Sequence, residues 1–153
     1  MKELLEYREK LIERLEKASQ EFRLACESFS DPFIKVEGEW TIHQIASHTR
    51  DVDKLVYGAR VLQTLHEDNP EFKSFDGDEW MADHYNKNEP ITDILDAFSK
   101  KSTELCGTLR KMPQEAWSRE SRHETIGGEL TLQLWVERSL AHIEEHLQTL
   151  KNA

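Results

Sequence analysis

The chain is poor in the residues that break helices: 6 Gly and 4 Pro among 153 residues. Few tight turns can be built from so little glycine and proline, which argues against a β-sandwich or another loop-rich fold. Cysteine is as scarce. Cys26 and Cys106 are the only two, far apart in sequence and outside any CxxC or zinc-knuckle spacing. That excludes a disulfide framework or a cysteine-rich zinc module and leaves two small apolar residues for a core.

Long apolar runs are also missing. No stretch of roughly 18 apolar residues occurs, and MKELLEYREK at the start is charged from its second residue, with no apolar signal segment. The expectation is a cytoplasmic protein that does not enter a membrane. Positive charge is in deficit, with 20 Lys and Arg against 30 Asp and Glu and a formal net charge of -10. Such a surface repels a phosphate backbone on average, so a nucleic-acid partner is not expected. The mean hydropathy of -0.73 and the 33% of charged residues fit amphipathic helices with solvated outer faces. At this length one continuous core, spanning 1–153 as a single domain, is the expectation.

What is present is helical rhythm. Leu4, Leu11, Leu15, Ala18, Phe22, Ala25 and Phe29 recur at steps of three and four residues and predict a first helix, closed by Pro32. A second helix is predicted from Thr41, where Thr41 and Gln44 match a capping box, to about Leu65, with Ile42, Ile45, Thr49, Val52, Val56 and Ala59 inward. From Glu67 to Glu89 the rhythm is lost, apart from a short helix expected within GDEWMADHY. This is a long crossover, a kind of connection that is more often functional than a simple turn. Ile91, Ile94, Leu95, Phe98, Leu105, Leu109 and Met112 predict a third helix, ended by Pro113. A loop carrying Trp117 and Gly127-Gly128 leads to the last, from about Thr131 to Leu150. The fold class is therefore all-α: a four-helix bundle with a long crossover between helices 2 and 3.

Seven histidines stand in this pattern. On a wheel of about 100° per residue, His142 and His146 share one flank of the last helix's apolar arc with Trp135 and Ser139. His48 lies one turn from Ile45 and Val52 and also faces inward. His43 points outward on the same wheel, and His66, His84 and His123 fall at helix ends or in loops, where solvated or capping roles are expected. Three buried imidazoles near one another need partners for up to six ring nitrogens. They are either satisfied core residues or ligands of a divalent cation. The pair is not a zincin motif, because Ile143 and not Glu follows His142.

The segment WTIHQIASHTRDVDKLV, Trp40 to Val56, together with GGELTLQLWVERSLAHIEEHLQTL, Gly127 to Leu150, resembles the DinB-like proteins and their YfiT-like bacterial branch. The resemblance implies a four-helix bundle that holds a divalent metal, most often nickel or zinc, on His48, His142 and His146. It implies several activities: thiol S-transfer from a low-molecular-weight thiol such as bacillithiol, metal-dependent hydrolysis of a small substrate, or a non-catalytic metal-binding role in stress response. Relatives of this kind are often dimeric, and the outer face of helix one offers a surface for a homodimer.

The open side of such a site draws further candidates. Asp51, one turn beyond His48, and Glu145, three residues after His142, are candidates to orient a ring nitrogen. Arg138, one turn before His142, is a candidate to meet an anionic small-molecule substrate. Trp80 and Tyr85 are candidates for a pocket lip if the crossover covers the bundle end.

Overall fold

The computed structural model describes residues 1–153. Four long helical segments carry the core: α1 (Lys2–Glu27), α2 (Ile42–Val52) continued by α3 (Gly58–His66), α5 (Ile91–Lys111) and α6 (Leu132–Lys151). The expected bundle is present, with α1 packed on α5 and α6 and the α2–α3 segment closing the other side. Leu11, Leu15, Ala18, Phe22 and Cys26 form the buried stripe of α1, while Leu4 stands exposed. Phe22 and Phe98 meet at the centre, with ring centroids 5.3 Å apart.

Helix starts follow the side chains that satisfy their free N–H groups. Thr41 accepts from Gln44 N at 3.1 Å while Gln44 Oε1 accepts from Thr41 N at 2.8 Å, the predicted capping box. Thr131 caps α6 by accepting from Leu134 N. Arg119 closes the end of α3 instead, donating to the carbonyls of Thr64 and Glu67.

The predicted second helix is not continuous. Asp53–Tyr57 forms a π-helical turn between α2 and α3. Gly58 permits it, because a Cβ there would stand 2.4 Å from the Asp53 carbonyl oxygen. A π turn inserts one residue into the helical count and rotates everything downstream by about 100°. The inward face therefore shifts from the expected Ala59, which is half-buried, to Arg60, Val61 and Thr64, which are buried.

Five short strands, absent from the all-α expectation, trim the bundle. β1 (Lys35–Glu37) and β2 (Trp40–Thr41) make a hairpin ahead of α2, turned at Gly38 with φ 57°. In the crossover, β3 (Glu71–Phe72) pairs in parallel with β4 (Glu120–His123), which pairs antiparallel with β5 (Gly127–Thr131). Phe72 packs edge-on to Trp135, whose indole donates to Ser121 Oγ at 2.8 Å, so this small sheet is fastened to α6. The crossover also supplies α4 (Gly77–His84), the short helix expected there. No helix is long and apolar enough to cross a membrane.

Candidate metal centre

The α2 and α6 faces bring His48, His142 and His146 together. The Nε2 atom of His142 lies 3.1 Å from that of His48 and 3.0 Å from that of His146. A ring nitrogen offers one in-plane proton or one in-plane lone pair, so His142 cannot give both neighbours a well-aligned hydrogen bond. Two nitrogens that share an ion about 2.1 Å away stand about 2.9–3.4 Å apart. The observed spacing thus fits a shared cation better than a hydrogen-bonded trio, and the donor set suits a borderline divalent ion.

Burial keeps the rings in the ligating form. Desolvation, followed by the neighbouring His146, pushes His48 down to about 4. Desolvation, then His146 and His48, pushes His142 down to about 3, and desolvation lowers His146 as well. All three are neutral at pH 7. The Nδ1 atom of His146 is buried without a hydrogen-bond partner, and the nearest carboxylate oxygen, Glu37 Oε2 in the β1–β2 hairpin, is 3.9 Å away. Trp40 stands edge-on to the His48 ring, and Gly77, at the start of α4, lies where a Cβ would come within 3.2 Å of His48 Cε1. The absence of a side chain at Gly77 lets the crossover close over that imidazole.

One side of the centre is open. A hollow of about 350 Å³ begins at His48 and His142 and is walled by Tyr57, Arg60, His123 and Arg138, with Val52, Val56, Phe75 and Ile126 as its apolar lining. No Asp or Glu lines it. A larger hollow of about 530 Å³, between α1 and the end of α5, shares no residue with the histidines and gathers no ligating group other than the carboxylates of Glu9 and Glu13.

The remaining candidates fall into different places. Arg138 lines the open hollow. Asp51 does not orient an imidazole: its Oδ1 accepts from Arg50 Nε at 2.9 Å and its Oδ2 from Trp80 Nε1 at 3.1 Å, which fastens α4 to α2. Glu145 is exposed, hydrogen-bonds no ring nitrogen and acts on His146 through its charge alone. Trp80 is not a lip of the hollow but stacks on His84 at 3.6 Å between ring centroids. Tyr85 faces a different depression, beside Trp40 and Met81, because its hydroxyl is drawn to His43.

Two of the histidines expected in solvated or capping roles are buried. His43 is buried, since the crossover covers the face that the helical wheel leaves free. Its Nε2 donates to the Glu89 carbonyl and its Nδ1 accepts from Tyr85 Oη, both at 2.7 Å, and Phe33 stacks on the ring. His123 is buried in the hollow wall, where its Nδ1 accepts from the backbone N–H groups of Thr125 and Ile126. His66 and His84 are exposed at helix ends, as expected. The sequence reading missed Glu37, Tyr57, Arg60, Gly77 and His123. One signal was available: an isolated glycine, Gly58, inside a helical pattern marks a break in register.

Comparison with known proteins follows this geometry. No curated protein sequence matches the chain. Among solved structures it is similar to YfiT from Bacillus subtilis, described as "a probable metal-dependent hydrolase with an unusual four-helix bundle topology". The TM-score is 0.76 at 24% sequence identity, covering 96% of this chain and 87% of that one, a likeness of fold. The model of the DinB superfamily matches residues 3–150. With nearly its whole length matched and the bundle in place, the chain belongs to the DinB superfamily.

Proposed function

We propose that this protein is a divalent-metal-dependent thiol S-transferase in which His48, His142 and His146 hold nickel or zinc. Its small-molecule substrates are a low-molecular-weight thiol such as bacillithiol and an electrophile, both received in the hollow beside His48 and His142. The observation that carries the reading is the convergence of three neutral imidazoles, of which His48 and His142 open on a hollow lined by no carboxylate. A divalent ion on three neutral ligands ionises a coordinating thiol outright and lowers the pKa of coordinated water toward about 7.

The chain's own residues supply position and shape. The depressed pKa values of His48 and His142 leave their lone pairs free at neutral pH. Tyr57 flanks His142, its ring centroid 5.7 Å away, and narrows the entrance. Cys26 and Cys106 are not the nucleophile: both are buried, and desolvation pushes their thiols up to about 12 and about 11. Nor is a general base at hand, because the Nδ1 of His123 is filled by backbone donors and its Nε2 carries the ring proton. A hydrolase commonly needs an acid for its leaving group. A thiol held there would need none against a carbon that bears a good leaving group: its proton would pass to solvent, a sulfur–carbon bond would form, and the displaced group would leave with the bonding electrons.

The description of YfiT as a metal-dependent hydrolase supports a second reading, in which the same three histidines activate water. One set of assays separates the two. Protein purified without an affinity tag and reconstituted with nickel or zinc is expected to hold one ion per chain by elemental analysis and to consume thiol in the presence of monochlorobimane. Equal rates in His48→Ala would refute a metal-centred mechanism. Turnover of esters or amides without thiol would favour the hydrolase.

A further inference from the structure

In a chain with thirty carboxylates, an arginine without one is informative. Arg14, Arg23, Arg50, Arg110 and Arg122 each lie within salt-bridge distance of an Asp or Glu. Of the four that have no such partner, Arg8 is held by Gln133 and Gln114 and Arg119 by the carbonyls of Thr64 and Glu67, whereas Arg60 and Arg138 both line the hollow that begins at His48 and His142. Arg60 is buried, and its one hydrogen bond runs from Nη2 to the Lys73 carbonyl at 3.1 Å. Arg138 makes no hydrogen bond. What holds them is the Trp135 indole, with the Arg60 guanidinium 4.7 Å and that of Arg138 6.0 Å from the ring centroid. Cation–π contact of this kind stabilises a guanidinium without using its N–H donors, which stay directed to other acceptors.

The placement of Arg60 depends on the π turn. In an unbroken helix it would lie about 120° from His48 around the axis, and the inserted residue brings it to within about 20°. Two like charges are thereby set beside each other in a hollow whose lining holds no carboxylate, an arrangement that costs stability unless an anion joins it.

We infer that Arg60 and Arg138 form an oxyanion subsite that receives a carboxylate or phosphate group of the molecule reacting at the histidine centre. This rests on the proposed function for the identity of that centre, but the subsite itself does not need the metal. It defines the substrate class: a small molecule with an anionic group a few bonds from its reactive atom.

The test is binding of inorganic phosphate and of succinate to the metal-free protein, followed by calorimetry and by the shifts of arginine Nε–H resonances in NMR at low ionic strength. At least one of the two anions is expected to bind and to shift the Arg60 and Arg138 signals. Arg138→Gln, at an exposed position that folding does not require, is expected to weaken that binding at least tenfold, and Arg138→Lys to restore part of it. Absence of binding by both anions, or equal binding to Arg138→Gln, overturns the subsite. Kinetic arms locate the anionic group: Arg138→Gln raising KM for N-acetylcysteine but not for its amide places it on the thiol, and the same contrast between iodoacetate and iodoacetamide places it on the electrophile. Failure of the two readings is separable. Anion binding in a protein that takes up no stoichiometric metal leaves the subsite standing and removes the metal mechanism, whereas metal uptake without anion binding does the reverse.

Discussion

The Nδ1 atom of His146 has an unmet demand: it is sealed from solvent and meets no acceptor, with Glu37 just beyond hydrogen-bond reach at 3.9 Å. A small closure of the β1–β2 hairpin would let that N–H donate to the carboxylate, fixing the ring with its Nε2 toward the centre. Glu37→Ala is expected to weaken metal affinity by about tenfold in a chelator-competition titration, and an unchanged affinity would remove Glu37 from the site. Asp53 carries the opposite kind of tension. It is buried, with only Ser139 Oγ as a side-chain partner at 3.4 Å, and desolvation raises its carboxyl to about 6. Because its folded-state pKa lies above the unfolded value, the penalty for ionisation is complete above pH 6 and fades as pH falls toward 3.8. Asp53→Asn should therefore stabilise the protein at pH 8 by up to about 3 kcal/mol, with the gain shrinking below pH 5. Urea unfolding of both proteins at the two pH values checks this, and a gain that grows in acid would contradict it.

At the scale of elements, the break in the second helical segment has the widest consequences. The Asp53–Tyr57 turn puts Tyr57 beside His142 and swings Arg60 into the hollow, and its geometry leaves no room for a side chain at Gly58. Gly58→Ala is expected to destabilise the fold by about 2–4 kcal/mol, or to convert the turn to α-helix and rotate Arg60 away. Either outcome is visible as a lowered unfolding midpoint or a lost Arg60 response to anions, and a variant normal in both would show that the turn is not held by this residue. Helix α4 has a comparable role on the far side. Gly77 rests on the His48 ring while Asp51 grips Trp80, so Gly77→Val should displace the imidazole and reduce metal affinity with little loss of helix content by circular dichroism.

For the whole molecule, the three histidines couple folding to acidity and, on the proposed function, to metal. Their folded-state pKa values are depressed below the ordinary 6.5, so the unfolded chain takes up protons first as pH falls. Their contribution is held above about pH 6.5 and is lost progressively as pH falls toward about 3. A ligand that binds only the folded form at a hundred times its dissociation constant adds about 2.7 kcal/mol, which in a chain of this size raises the unfolding midpoint by roughly 5–11 °C. Nickel or zinc should produce that rise, EDTA should reverse it, and His142→Ala should abolish it. A rise that survives in His142→Ala would place the metal elsewhere.

The sequence by itself determined the four long helical segments, the Thr41 capping box and the inward set of His48, His142 and His146. Each is a property of residues within a turn or two of one another, where the 3.6-residue period and local hydrogen bonds act directly. It could not determine what covers a helix face. His43 sits on a side that the apolar stripe leaves free, and it is buried by Phe33 from the loop after α1 together with Tyr85 and Glu89 from the folded-back crossover. The strands of the small sheet are two to five residues long, too short to show a period, and exist because Ser121 and Phe72 find Trp135. Tertiary packing likewise decided the walls of the hollow: a single inserted residue at the π turn changed which side chains stand beside His48, and so what the site can receive.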